Sequence, residues 1–152
     1  MTTKLIRAAL PAIALLGVAL ATPAHAALGG DVASVVRDSA AIRATRLVTP
    51  FIAYDLHESV AADGTRLREY VDRGGRVFAI SWRGPRSPDV SALLGTHAAH
   101  FYAARSRLSN HHVAFVNEAD LAVTVMKLPR GWEGSALLPT AIPAGVSRAD
   151  LR

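Results

Sequence analysis

Two glutamates, Glu58 and Glu69, stand in short alternating segments on either side of an Asp-Gly turn and could perform acid–base chemistry. If the turn pairs Val60 with Thr65, both carboxylates project from the mainly apolar face of adjacent strands as diagonal neighbours, about 7–8 Å apart. Two carboxylates in an apolar pocket acquire different pKa values, as an acid–base pair requires. If the register differs, or if Arg76 pairs with one of the glutamates, we expect these residues to have a structural role instead.

Four histidines are the candidate metal ligands. His97 and His100 lie three residues apart on a predicted helix, a spacing that can chelate a metal ion. His97 also falls on the apolar stripe of that helix, which favours a hydrogen-bonded core histidine. His111 and His112 are adjacent, so in an extended strand they point to opposite sides. Because a third ligand would have to come from elsewhere in the fold, we predict neither a metal site nor a cofactor.

The loop from Trp82 to Arg86 is the predicted binding surface. It joins an aromatic residue at a strand end to a rigid Gly84-Pro85 corner flanked by Arg83 and Arg86, which can bind an anionic group or a partner protein. The alternative is an ordinary strand-to-helix turn, with Trp82 in the core and the arginines in water. The chain has neither a serine nucleophile motif nor a phosphate-binding loop.

Three alternating segments must position the glutamates and this loop. Residues 54–60, 65–71 and 76–82 are separated by Asp-Gly and Gly-Gly turns, which predict a three-stranded antiparallel meander. We expect one face to form the core and to carry Tyr54, Leu56, Glu58, Val60, Leu67, Glu69, Val71, Phe78, Ile80 and Trp82. The opposite face, expected to be mostly exposed, carries Asp55, His57, Ser59, Arg66, Arg68, Tyr70, Val77, Ala79 and Ser81.

Helical periodicity and further strand patterns complete the predicted fold. The periodicity of apolar residues predicts helices over 31–44 and 87–108. A C-terminal hairpin is predicted over 113–116 and 121–128, and a short strand over 135–138. We therefore predict an α+β domain, in which an antiparallel sheet of the meander plus the C-terminal hairpin or three strands packs against two helices.

The first 26 residues have the features of a cleavable signal peptide. Lys4 and Arg7 form a positive n-region, residues 8–21 are mainly apolar, and Ala-His-Ala supplies small residues before the predicted cut between Ala26 and Ala27. The apolar run is short for a membrane span, which needs about 20 residues. We expect an exported protein, periplasmic or secreted, without stable membrane insertion after cleavage.

Residues 27–152 are predicted to form one soluble domain. The chain has 17 Lys and Arg against 12 Asp and Glu, and loss of Lys4 and Arg7 leaves 15 against 12, a net charge of +3. The charges are dispersed, which does not favour nucleic-acid binding. The absence of cysteine excludes disulfides, a lipoprotein anchor and thiol catalysis.

Several blocks of the mature chain resemble a known family. These blocks are Ala26-Ala27-Leu28-Gly29-Gly30, Arg68-Glu69-Tyr70-Val71, the run from Val77 to Pro85, Leu93-Leu94-Gly95, Leu138-Pro139 and Pro143-Ala144-Gly145-Val146. They are similar to a family of small exported proteobacterial proteins classed as a domain of unknown function. The resemblance implies export and assigns no catalytic residue.

These patterns together favour a non-catalytic binding or accessory module of the periplasm or cell envelope. Its expected partner is another envelope protein, and the oligomeric state is open. Two alternatives remain: a small hydrolase that uses Glu58 and Glu69 or a histidine site, and a carrier of an apolar ligand between sheet and helix.

Overall fold

The computed structural model describes residues 27–33, 45–107 and 113–151 of the chain. Its strands are β1 (Thr45–Pro50), β2 (Tyr54–Val60), β3 (Arg66–Asp72), β4 (Val77–Gly84), β5 (Val113–Asn117), β6 (Ala122–Leu128) and β7 (Gly131–Leu137). Between β4 and β5 lie α1 (Val90–Leu94), a 3₁₀ turn (Gly95–His97) and α2 (Ala98–Arg105). Two further 3₁₀ turns, Pro139–Ala141 and Arg148–Asp150, lie in the C-terminal tail.

All seven strands form one antiparallel sheet in the order β1-β2-β3-β4-β7-β6-β5. The first four strands follow one another as a meander, and the last three do the same in the opposite direction. The last strand, β7, therefore pairs with β4 and joins the two halves. The helical segment carries the chain from β4 to the outer strand β5, a connection that needs more residues than a hairpin turn.

The predicted packing of a sheet against two helices is wrong. Within the described ranges the fold is mostly a seven-stranded sheet, with one helical segment of 16 residues. The predicted helix over 31–44 lies outside the described residues except for its start, where Val32 and Ala33 are helical. Sequence patterns missed β1 and shortened β7, because β1 lacks clean alternation and β7 contains two glycines.

The helical segment packs on one side of the sheet, which we call the helix face. Leu94 and Phe101 are fully buried there against Ile80 and Trp82. Burial of each such side chain contributes about 1.5–3 kcal/mol of favourable transfer free energy. Gly134 on β7 makes this packing possible, since a Cβ at that position would overlap the Trp82 ring.

The C-terminal tail crosses the opposite side of the sheet, which we call the tail face. It covers Tyr54, Tyr70 and Phe78, with Leu151 buried against them. The three rings meet at tilted or edge-on angles with centroids 5.7–6.3 Å apart, a favourable geometry for aromatic packing. A capping box formed by Ser147 and Asp150 begins the last 3₁₀ turn of the tail.

The register between β2 and β3 differs from the predicted one by a single residue. Val60 pairs with Arg66 instead of Thr65. Because side chains alternate along a strand, this shift exchanges the faces of every residue in one strand relative to the other. The expectation that one face is mostly exposed is also wrong, because both sides of the sheet carry core residues. The buried members of that predicted exposed face are His57, Ser59, Tyr70, Val77 and Ala79.

Candidate functional site

The part of the tail face that the C-terminal tail leaves uncovered is a wide groove of about 1260 Å³. Strands β3, β4, β7 and β6 cross it, and hydroxyl groups lie along its floor. Four arginines and two carboxylates line it, an excess of two positive charges. We call it the arginine groove, and we define it by Asp63, Arg66, Arg68, Ser81, Arg83, Thr124, Arg130, Glu133 and Ser135.

Two arginines of the groove lie directly opposite each other on neighbouring strands. Arg66 on β3 and Arg83 on β4 are cross-strand partners on the tail face. Like charges at such a pair of positions destabilise a sheet, because their Cβ atoms are only about 4.5–5.5 Å apart. Arg66 forms no ion pair within the described part of the chain, and both side chains are exposed.

The other arginines differ in their contacts. Arg68 donates from Nε to Glu58 Oε1 at 2.8 Å, and this pair is partly buried. Arg83 reaches Glu133 only at 3.7 Å across an exposed surface, where an ion pair contributes little. Its charge thus stays available to a ligand.

Arg130 reaches the groove from the turn between β6 and β7. The turn lies close to β4, since a Cβ at Gly131 would overlap the Gly84 carbonyl. Gly131 also has φ +149°, a backbone conformation that L side chains rarely adopt. This glycine therefore brings the turn, and Arg130 with it, against the end of β4.

Asp63 lies at the mouth of the groove and holds the β2–β3 turn. Its Oδ1 accepts a hydrogen bond from the Thr65 backbone N–H at 2.9 Å. That bond, the Thr65 hydroxyl and the nearby charge of Arg86 lower the pKa of the Asp63 carboxyl, in this order of size. The carboxylate therefore stabilises the turn by accepting this hydrogen bond.

The structure divides the predicted loop from Trp82 to Arg86. Trp82 is 2 % exposed and packs in the core of the helix face. Arg83, Gly84 and Pro85 line the arginine groove, and Arg86 is exposed beside Asp63. The alternative interpretation was therefore right for Trp82, while Arg83 contributes to a surface that also needs strands β3, β6 and β7.

Glu58 and Glu69 do not form a pair. They lie on opposite faces of the sheet, because Glu58 pairs with Arg68 and Glu69 pairs with His57 across β2 and β3. Glu58 is beside the groove in its ion pair with Arg68, whereas Glu69 is 2 % exposed on the helix face. The geometry that acid–base catalysis by these two residues required is absent.

The cross-strand partner of Glu69 is His57, which is buried in contact with an arginine. His57 is 3 % exposed, and its Nδ1 lies 2.7 Å from Arg46 Nη2. The guanidinium can only donate, so Nδ1 accepts and the imidazole is neutral. Burial first, and the charge of Arg46 second, lower the pKa of His57. Such a closed position supports a structural role.

The predicted histidine ligands separate in the structure. His97 is half-buried near Gly29, while His100 Nε2 lies 2.5 Å from Glu118 Oε2 in the turn between β5 and β6. Ligand atoms of His100, Glu118 and Asp120 lie within 4.8 Å of one another, an approach that only the fold creates. Both carboxylates are exposed, and the contact with His100 accounts for the position of Glu118. His111 and His112 lie outside the described residues.

Sequence reasoning missed the groove because its residues are spread over the chain. Arg66 and Arg68 were assigned to an exposed face without a role, and Arg130 was not singled out. The Pro-Arg-Gly sequence between two strands was the available signal, since it marks a tight turn that presents a charged tip.

The family model described as "Protein of unknown function (DUF2844)" matches residues 24–151. The chain belongs to the DUF2844 family. This confirms the resemblance to a domain of unknown function. Neither a curated protein nor a solved structure matches the chain. Among the described residues of this DUF2844 chain, no helix has the length and apolar character needed to cross a bilayer.

Proposed function

We propose that this protein is a non-catalytic binding module of the cell envelope, and that the arginine groove binds the anionic part of its ligand. The supporting observation is the cross-strand pair of Arg66 and Arg83 in an uncovered groove with excess positive charge. A carboxylate or phosphate between two guanidinium groups accepts charge-assisted hydrogen bonds from both and offsets their repulsion.

The groove's chemistry favours binding over turnover. Arginine side chains stay protonated at neutral pH and therefore cannot act as general bases. Of its two carboxylates, Asp63 accepts the hydrogen bonds of its turn and Glu133 stands beside Arg83. The hydroxyls of Thr124 and Ser135 suit hydrogen bonding to a bound anion.

The proposed location rests on the signal-peptide features of the first 26 residues, and the proteobacterial origin rests on the family resemblance. If the protein is exported, its mature form from the periplasmic or secreted fraction begins at Ala27. Mass spectrometry of the intact protein tests this, and recovery of the uncleaved chain from the cytoplasm would contradict it.

The binding proposal is tested by affinity purification of the tagged protein from its native envelope at low salt. Mass spectrometry identifies the proteins and the small molecules that are recovered with it. We expect an anionic molecule, or another envelope protein with an acidic segment, that is lost from the Arg66→Ala/Arg83→Ala double variant. Release at high salt is expected as well, since salt screens exposed charges.

The matched control is the double variant Arg105→Ala/Arg107→Ala. It removes the same charge from the end of the helical segment and the turn that follows it, on the opposite side of the sheet. It should retain the ligand. Equal loss in both double variants would show a nonspecific effect of net charge, and recovery that neither variant changes would exclude the groove as the binding surface.

A further inference from the structure

An exposed apolar surface continues from the arginine groove toward the edge of the sheet. Phe115 on β5 is 59 % exposed, and Val113 on the same strand is 37 % exposed. Met126 on β6 pairs with Val113 and is partly exposed. We call Val113, Phe115 and Met126 the apolar shelf.

The strand register places the shelf and the arginines on the same face. Arg83 pairs with Glu133, Glu133 pairs with Met126, and Met126 pairs with Val113. Cross-strand partners project to the same side of the sheet. Along this row the side chains are therefore charged on β4 and β7 and apolar on β6 and β5. Because neighbouring strands lie about 4.8 Å apart, the row from β4 to β5 extends over roughly 14 Å.

A second row shows the same change from polar to apolar. Ser81 pairs with Ser135, Ser135 with Thr124, and Thr124 with Phe115. Hydroxyls cover the middle of the face, and the aromatic ring stands at its outer strand. The groove volume of about 1260 Å³ exceeds the roughly 300–1,000 Å³ of most small-molecule pockets. A ligand that uses both surfaces has a charged head and an apolar chain.

We propose that the ligand of the arginine groove is an anionic amphiphile with an acyl chain. Its carboxylate or phosphate head is held by Arg66, Arg83 and Arg130, and its chain lies along the apolar shelf. This inference rests on the proposed function and adds the chemical class of the ligand. Charge complementarity selects the head, and exposed apolar side chains next to it select the chain.

The test is isothermal titration calorimetry of the purified mature protein with three probes. Dodecyl phosphate carries both features, inorganic phosphate carries only the head, and dodecyl maltoside carries only the chain. Light scattering verifies that each detergent stays monomeric. We expect dodecyl phosphate to bind at least about tenfold more tightly than either other probe. Burial of a few methylenes is sufficient for that ratio against inorganic phosphate, and charge-assisted hydrogen bonds to the head are expected to give it against dodecyl maltoside.

One groove variant, one shelf variant and two controls locate the probe. Arg66→Ala and Phe115→Ser should each weaken dodecyl phosphate binding by about tenfold or more. Arg107→Ala and Tyr102→Ser alter comparable exposed side chains on α2 and the turn after it, and should leave dodecyl phosphate binding unchanged. Val113→Ser is a second shelf variant, and urea unfolding shows that each variant is folded.

Four outcomes would overturn the inference. If phosphate binds as tightly as dodecyl phosphate and only Arg66→Ala weakens it, the ligand is a simple anion, and the proposed function stands. If an acidic protein segment competes with dodecyl phosphate while Phe115→Ser has no effect, the partner is a protein, and the proposed function again stands. If Phe115→Ser converts a dimer to a monomer, the shelf is an interface between copies of this chain. If no probe binds, or if binding is insensitive to both arginine and shelf variants, the inference and the proposed function fail together.

Discussion

The tail face has two halves that are built from the same kind of antiparallel strands. One half is covered by other parts of the chain, and the other is open. In one half, aromatic residues of β2, β3 and β4 are covered by the C-terminal tail, and Leu151 is 5 % exposed. In the other half, arginines of β3 and β4 and the β6–β7 turn face an uncovered groove. One strand, β3, contributes Tyr70 to the covered half and Arg66 to the open half.

The difference shows which half serves stability and which serves binding. Burial of aromatic surface contributes several kcal/mol, and hence requires a covering segment. Exposed arginines contribute little to folding, and two of them are cross-strand partners at some cost in stability. A local arrangement that lowers stability is typical of functional sites.

Removal of a ring from the covered half is the largest expected effect. Phe78 is fully buried beneath the tail. Phe78→Ala should lower the free energy of unfolding by about 3–5 kcal/mol, because it removes apolar contacts and leaves a cavity. Urea unfolding measures it. Phe115→Ala, at a 59 % exposed position, is the control and should change the free energy of unfolding by less than about 0.5 kcal/mol. Similar losses for both would remove the distinction between covered and open residues.

The second-largest loss of stability is expected from truncation of Leu151, the last buried residue of the tail. Leu151 is buried on the aromatic cluster and also borders the arginine groove. Leu151→Ala should cost about 2–3 kcal/mol, at the lower end of Leu-to-Ala substitutions because the tail can relax. Faster hydrogen exchange should follow in residues 139–151. Unchanged exchange there would mean that the tail is held by its other contacts.

The buried imidazole of His57 makes the free energy of unfolding depend on pH, whereas the exposed arginines do not. Burial lowers the pKa of His57, so the folded state has a lower value than the unfolded chain, where it is about 6.5. The unfolded chain takes up the proton first, so His57 favours the folded state most above pH 6.5, and stability falls as pH drops below it. Urea unfolding at pH 7.5 and 5.5 should show a smaller loss in His57→Gln than in the wild type. An equal loss would assign the pH dependence to other groups, and His97→Gln is the control.

Charge reversal in the open half is the smallest effect on stability and has the opposite sign. Arg66→Glu replaces a like-charge pair with an ion pair to Arg83. We expect the free energy of unfolding to rise by roughly 0.2–1 kcal/mol at low salt. The same change should abolish binding of anionic probes. A loss of stability would show that Arg66 makes contacts that favour the fold.

Much of the strand pattern was predictable, and the pairing that places the site was not. The hairpin of β5 and β6 agrees with the sequence prediction. The Asp-Gly turn was recognised, but the predicted turn is one residue shorter than the observed one. The prediction therefore put Glu58 and Glu69 on the same face, whereas they lie on opposite faces. Local propensity determines where a turn lies, whereas its register depends on packing across the whole sheet.

The sequence by itself determined the alternation of the strands, the turns between them, the family, and the arginine-rich loop after β4. Only the tertiary structure decided that β7 inserts between β4 and β6, which brings Arg130 to the cross-strand pair of Arg66 and Arg83. It also decided that Trp82 is buried while its neighbour Arg83 is exposed. The reason is that strand order and coverage of a face depend on contacts between residues far apart in the chain. Periodicity reports only that a strand has two faces.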